Sequence, residues 1–247
     1  MRLPRWFRLL LLAGIPVAVL GMIGLGVWQL TRLQERRALN AEILHQLAKP
    51  RLELGDATLL DATRLEYRPV VARGVYDFSQ EIVLRNRAYE QAPGVHVVTP
   101  LKLIGSEAAV LVDRGWIPYQ ASSLSARAAY QTPPGAVVVE GILRASQSRP
   151  YTFLPADHTA DPGSPRLDAW YWLNVNQVQL QIPYPLLPMF IELAPTEPSR
   201  LPIGGYVLDL SDGPHLSYAI QWFAFAAILV IGPLAYWYPQ RRKRQVE

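Results

Sequence analysis

The sequence predicts an α+β membrane protein: two transmembrane helices flanking a mostly antiparallel-β periplasmic domain with short helices. Three observations carry that expectation. Leu9 to Thr31 is a run of 23 residues without a formal charge, and Gly213 to Gln240 is a second run of 28. Between them the chain breaks into short segments rich in β-branched and aromatic residues, punctuated by Pro and Gly. A helix rises about 1.5 Å per residue, so roughly 20 apolar residues cross a hydrocarbon layer of ~30 Å. Both runs are long enough.

Composition narrows the class. Half of the 247 residues are hydrophobic and 18% are charged, too apolar for a disordered chain and too charged for membrane spans alone. The absence of cysteine excludes disulfide frameworks, thiolate zinc sites, CxxC redox chemistry and cysteine-based copper delivery. The net charge of +4 does not indicate a nucleic-acid partner. Seven of the 24 basic residues (Arg2, Arg5, Arg8, Arg241, Arg242, Lys243 and Arg244) sit at the two tips, which leaves 17 against 19 acidic residues between them. Basic charge that borders apolar runs points to a lipid bilayer instead.

The expected organisation is a cytoplasmic tip over 1–8, a transmembrane helix over 9–31, a periplasmic domain over 32–212, an interfacial segment and second transmembrane helix over 213–238, and a basic cytoplasmic tail over 239–247. The apolar body of the second span is Ser217 to Trp237, and each span holds a proline, Pro16 and Pro233, which membrane helices tolerate. The rival reading of the first run is a cleaved signal peptide with Gly24-Leu25-Gly26 as its small-x-small triplet. The run exceeds the usual h-region of about 7–15 residues, and Trp28, Gln29, Arg32, Arg36 and Arg37 suit a helix leaving a membrane. The basic tips place both termini in the cytoplasm, and a loop of about 180 residues translocates whatever its flanking charge. The first span starts too early to leave room for a mitochondrial import signal. The setting is therefore a multi-pass protein of a bacterial inner (plasma) membrane.

Within the middle region, Leu33, Leu39, Ile43, Leu44 and Leu47 recur at helical spacing, which extends the first helix to just before Pro50. A second short helix is expected over Thr58–Glu66. Strands are expected at Val70–Tyr76, Glu81–Arg85, Val95–Leu103, Ala109–Trp116, Ala136–Leu143, Trp170–Val175, Met189–Leu193 and Tyr206–Leu210. Pro93-Gly94, Gly105-Ser106 and Pro133-Pro134-Gly135 act as breakers between several of them. Short helices are expected at Ser122–Gln131 and Asn176–Gln181, and a loop at Pro155–Arg166. The pattern suggests an antiparallel sheet curled into a barrel or sandwich.

Candidate chemistry in this domain is sparse. His96 reads as a side chain on a sheet, His45 as an exposed helix residue, and Asp157, His158 and Asp161 as solvated loop residues rather than a metal site. No GxSxG, Walker, HExxH or GxGxxG motif occurs, and the chain does not read as an enzyme. The membrane boundary is more informative. Trp28 and Tyr218 each lie 19 steps, about 28 Å, from the inner edge, and His215, Tyr218 and Trp222 share one helix face. Gly14, Ala18 and Gly21 form a small-residue stripe suited to close helix packing. These features allow a pocket between the two helices, roofed by the outer domain, with one imidazole facing it. The same residues also fit blander roles: an aromatic belt for Trp28, Tyr218 and Trp222, a hydrogen-bonding interfacial histidine, and snorkelling for Arg32 and Arg36.

The runs LGVWQLTRLQERRAL at 25–39, YRPVVARGVYD at 67–77, EIVLRNR at 81–87, PGVHVVTPLKL at 93–103, VLVDRGWIP at 110–118 and HLSYAIQWFAFA at 215–226 resemble the surfeit locus protein one family, in order and over most of the chain. Asp113 stands where that family often has Asn and Arg36 where it often has Lys. The loop 155–169 matches poorly, so nothing is carried onto His158. The resemblance implies an assembly factor for haem-copper cytochrome c oxidase that binds haem A at the outer membrane interface and assists its insertion into the catalytic subunit. It implies the oxidase catalytic subunit and haem A synthase as partners, and His215 as the haem-iron ligand. Beside it, the residues permit Trp28, Tyr218 and Trp222 to line the haem plate and Arg32 or Arg36 to pair a propionate. The alternative is a cofactor-free membrane scaffold that steadies an oxidase subunit, with His215 and the aromatics as packing residues. A lipid-linked hydrolase lacks an activated nucleophile. The motifs RNR (85–87) and RGW (114–116) stabilise the sheet or form its docking surface, a choice the sequence leaves open.

Overall fold

The computed structural model describes residues 5–55, 62–151, 153–154, 157, 166–197, 200–205 and 208–243. In chain order its elements are α1 (Arg5–Leu47), β1 (Leu52–Leu54), α2 (Ala62–Leu65), β2 (Pro69–Tyr76), β3 (Ile82–Tyr89), β4 (Ala92–Leu103), β5 (Ala109–Pro118), α3 (Leu124–Arg127), β6 (Val137–Ala145), β7 (Ala169–Trp170), α4 (Val175–Gln179), β8 (Leu186–Leu193) and α5 (His215–Lys243). The chain divides into two compact units, Met1–Glu42 with Asp209–Glu247, and Ile43–Leu208.

The first unit is the helix pair. α1 runs 43 residues, about 65 Å at helical rise, and so outlasts any bilayer thickness. Its second half, rich in Arg, Leu, Ala, Gln and Glu, keeps strong helix formers to the end, and the helix stops before Pro50, which disfavours a helical residue ahead of it. Ala13–Leu47 and His215–Ala235 contain windows apolar enough to cross a membrane, of which only 6% and 11% is buried by protein. Val17, Leu20, Ile220, Ile228 and Leu234 are consequently exposed apolar side chains, a surface that water would penalise and lipid would not. The small-residue stripe does not make the helix contact: nothing lies within 4 Å of a Cβ built on Gly14 or Gly21. The close approach is at Gly26, where a Cβ would stand 2.5 Å from the Phe223 ring. A bulky aromatic, not a second small residue, sets the spacing.

The second unit is a β-barrel. β2, β6, β8, β5 and β4 hydrogen-bond in that order, and β4 returns to β2 through Gly74–Tyr76 against Leu101–Leu103. Closure brings Gly74 to the Lys102 carbonyl, where a Cβ would sit at 2.3 Å. β4 is long enough to serve two partners along one edge, β3 with its first half and β2 with its last three residues. The corner between β2 and β3 is a 3-10 turn capped by Asp77, whose carboxylate accepts from Ser79 N. Three pairings are parallel (β1–β2, β3–β7 and β5–β8) and the other five antiparallel.

Side-chain alternation along the strands builds three buried clusters, the smallest of them Val83, Val95, Val97 and Ile117. Val110, Val112, Met189 and Ile191 join Leu101, Val139 and Leu143 in one cluster. The intervening Leu111 and Phe190 point the other way and join Ile82, Leu84, Trp170 and Val178 in another. That second cluster is roofed by α4, which covers Leu111, and Ile117 packs with Val83, Val95 and Val97, so β5 is buried from Ala109 to Ile117.

Several expectations change. Trp170–Val175 is not a strand beyond Trp170. Asp157 accepts from the N–H groups of Tyr171 and Trp172, Gln147 from Leu173 and Ser146 from Val175, so side chains take the donors a ladder would use. Asn174 then caps α4 by accepting from Gln177 N. In Tyr206–Leu210, residues 208–210 are not strand; the other two lie outside the described residues. Pro93-Gly94 does not break a strand but sits in β4, while the β3–β4 turn falls on Glu90 and Gln91, both at positive φ. β1 was not anticipated. Of the helix expected over Thr58–Glu66, 62–65 is helical and residues before 62 lie outside the described residues.

Candidate functional site at the start of the second apolar helix

Arg36, Arg37 and Asn40 of α1 hold the segment that leads into α5. Arg36 Nε donates to the Ser211 carbonyl at 3.1 Å and its Nη2 to the Asp209 carbonyl. Arg37 donates twice to the Asp212 carboxylate, at 2.9 and 2.8 Å. Asn40 Nδ2 donates to the Leu210 carbonyl at 2.7 Å. The Ser211 hydroxyl and backbone N–H hold the Asp209 carboxyl below the usual carboxylate range. Arg36 and Asn40, one helical turn apart, thus satisfy successive carbonyls of an irregular segment, while Arg37 holds the carboxylate that follows. Gly213 follows at φ +67, in the left-handed region that costs an L side chain about 1–2 kcal/mol. Pro214 precedes the first helical residue, where its fixed φ and missing N–H do no harm, and its carbonyl accepts from Tyr218 N and the Ser217 hydroxyl.

This arrangement delivers His215 to α1. Its Nδ1 lies 2.8 Å from Gln29 Oε1. An amide oxygen only accepts, so in the neutral ring Nδ1 carries the proton and Nε2 keeps its lone pair. A Cβ on Gly213 would come within 3.7 Å of that Nε2, so the glycine leaves this edge of the ring uncrowded. An imidazole whose Nδ1–H is anchored on a carbonyl oxygen is the usual arrangement of a metal-binding histidine.

The remaining expected site residues separate. Trp28 is 53% and Tyr218 46% exposed, flat apolar surface without a protein cover. Trp222 is half-buried and meets Phe225 edge-on, ring centroids 6.2 Å apart. Arg36 is engaged with the 209–211 carbonyls. Arg32 makes a 2.6 Å ion pair with Glu35, both side chains more than half exposed. Gln29 was missed from the sequence. Its signal was there: an amide inside a 23-residue uncharged run needs a partner to be tolerated in hydrocarbon. The helices also enclose an apolar crevice of about 550 Å³ around Pro16 and Pro233. Its nearest α5 residue, Leu229, is 14 residues and hence about 21 Å along the helix from His215, so the imidazole does not serve it.

In the barrel the RGW arginine is structural. Glu81 accepts from the Thr99 hydroxyl at 2.7 Å and from Arg114 Nη1 at 3.2 Å, and lies 3.7 Å from Arg127 Nε. Arg127, 1% exposed, also pairs with Asp168 at 2.7 Å. Burial pushes the Glu81 carboxyl up, while Thr99 and the two guanidinium groups pull against it. His96 Nδ1 meets Asp113 Oδ2 at 2.9 Å, and the other Asp113 oxygen accepts from Gly115 N. Among the described residues no group of His, Asp and Glu could hold a metal ion. Asp157 is engaged with the backbone, and His158 and Asp161 lie outside the described residues.

Fold and site together define a class: a closed β-barrel whose chain continues at both ends into apolar helices, with one polarised imidazole where the second helix begins. Sequence comparison makes the class specific. The SURF1 family matches residues 16–227, and the chain belongs to that family. A SURF1-like protein of Monosiga brevicollis is 31% identical over 94% of this chain and 87% of its own length. Surfeit locus protein 1 of Mus musculus is 28% identical over 90% of this chain and 72% of its own. An uncharacterized SURF1-like protein of Mycobacterium bovis is 28% identical over 99% and 88%.

Proposed function

We propose that this protein is an assembly factor for haem-copper cytochrome c oxidase that receives haem A at the outer interface of the membrane and passes it to the catalytic subunit. Haem A synthase is the natural source of the cargo. Family membership supports the oxidase-assembly part. The Gln29–His215 hydrogen bond carries the haem part, because it leaves an imidazole nitrogen with its lone pair free at the end of an apolar helix.

The donor set fits the cargo. His215 Nε2 would hold the iron with Gln29 fixing its ring and tautomer, and the exposed faces of Trp28 and Tyr218, with the half-buried Trp222, would offer apolar area to the macrocycle. Arg32 is the better propionate partner, since an exposed i, i+3 pair with Glu35 is worth under about 1 kcal/mol and exchanges readily. Arg36 would have to abandon two backbone carbonyls to do so. A single imidazole also suits a carrier, which must let go. The basic tips support an orientation with both termini in the cytoplasm and the barrel in the periplasm of a bacterial inner membrane, and the protein acts without catalysing a reaction. Absorption spectra of the full chain purified from haem-A-producing cells test the proposal. A Soret band present in the wild type and lost in His215→Ala is expected; no Soret band in either would leave a cofactor-free scaffold, and a band kept in His215→Ala would overturn the ligand assignment.

A further inference from the structure

We infer that the RNR motif forms a second site, a cleft on the barrel that docks an acidic peptide segment of a partner protein. The cleft has a volume of about 960 Å³ and is walled by β3, by the turn that follows β5 and by the chain around β7. Its shape begins with a β-bulge. The β3–β4 register shifts by one residue between Leu84 and Arg87, and Asn86 takes a φ of 56°. Strict alternation would send neighbouring side chains to opposite faces; the extra residue breaks it, and Arg85, Asn86 and Arg87 all line the cleft. Bulges that re-aim side chains in this way recur beside binding sites.

The charges are unbalanced toward the cation. The Arg85 guanidinium lies over the Tyr171 ring at 5.4 Å, and Arg87 Nη1 donates to the Arg85 carbonyl at 3.2 Å. Among the described residues no carboxylate pairs with either. Asp168, the acidic residue of the wall, already faces the buried Arg127 at 2.7 Å, so its charge is answered from inside the barrel. The buried Val83 and Val95 and the exposed Tyr119 also line the cleft. Two planar guanidinium groups in a cleft lined also by valines and tyrosines match carboxylates carried on a chain that also has apolar surface. β7 pairs with β3 at Val83 and Leu84, and among the described residues no strand pairs with that edge beyond Leu84, which leaves it to such a segment, while the bulge prevents a regular strand from being added there. RGW and RNR, alike in sequence as short arginine motifs, therefore differ in role: Arg114 balances a buried carboxylate, and Arg85 and Arg87 have no carboxylate partner among the described residues.

The test uses the full chain in an uncharged detergent and a fluorescein-labelled hexaglutamate peptide, followed by fluorescence anisotropy without haem, so its outcome is independent of the haem proposal. Saturable binding that weakens with added salt is expected, with affinity reduced at least about tenfold in Arg85→Glu/Arg87→Glu and unchanged in Arg73→Glu on β2. Circular dichroism confirms the fold of the double variant, and Arg85→Gln/Arg87→Gln replaces it should the charge reversal not fold. No binding by the wild type, or equal binding by the double variant, overturns the inference. Displacement of the peptide by an equal concentration of succinate would also overturn it, by making the cleft a small-dicarboxylate pocket.

Discussion

Gln29→Leu removes the acceptor of the His215 Nδ1–H bond while keeping helix propensity. The lost contact is a 2.8 Å hydrogen bond to a half-buried imidazole. Losing the outer partner of a metal-bound histidine costs 10–100-fold in affinity, which is about 1.4–2.7 kcal/mol. Titration of the purified apo-chain with haem, followed at the Soret band, measures that loss. Gln29→Glu keeps an acceptor at the same reach and should bind within a fewfold of wild type, a rescue that a purely packing role for Gln29 would not show. The tautomer is open to inspection without cargo. The chain has only four histidines, so the His215 ring nitrogens are assignable by 15N NMR through comparison with His215→Ala. Protonation at Nδ1 is expected in the wild type, and a mixture of tautomers in Gln29→Leu. Wild-type His215 protonated at Nε2, or Gln29→Leu binding haem as tightly as wild type, would refute the reasoning.

Glu81→Gln should lower the barrel's stability by about 3–5 kcal/mol, since it leaves the buried Arg114 and Arg127 short of a counter-charge. For a unit of this size that is a fall in melting temperature of roughly 6–20 °C; a shift under about 2 °C would show that the pair is not needed. Burial raises the Asp77 carboxyl, but hydrogen bonds from Ser79, Lys102 and Tyr184 outweigh it and leave the group below its usual value. Its contribution is thus complete above the unfolded carboxylate pKa of about 3.9 and is lost as pH falls through the lower folded value. Asp77→Asn should accordingly lower the neutral plateau of a melting-temperature profile and flatten its acid limb below about pH 4, because the contribution lost on acidification is already absent. Reporter fusions after residue 120 should report the periplasm and those after residue 244 the cytoplasm; the reverse pattern would invalidate the orientation.

What could be read from the sequence was what repeats at short range. Charge-free runs revealed both apolar helices, the heptad-like leucines carried α1 to Leu47, and alternation located β2 through β6 within a few residues. What could not be read depends on side chains distant in sequence. The strand expected after Trp170 dissolves because Ser146, Gln147 and Asp157 reach its N–H groups, and the one expected through Leu210 because Asn40 and Arg36, some 170 residues earlier, take the 209–211 carbonyls. The site divides in the same way. His215 is singled out in the sequence by its interfacial position and the face it shares with Tyr218 and Trp222; its bond to Gln29, the positive φ of Gly213 and the engagement of Arg36 appear only when the helices are side by side. The RNR cleft needed a bulge that neither periodicity nor propensity announces.

The central claim, that His215 offers Nε2 to haem iron, meets its most direct measurement in pulsed EPR of the ferric haem complex prepared with 15N-labelled histidine. A single axial histidine nitrogen coupled to the iron in wild type, and no such coupling in His215→Ala, is the predicted result. Coupling that survives in His215→Ala, or a wild-type complex with no histidine nitrogen on the iron, would contradict the account.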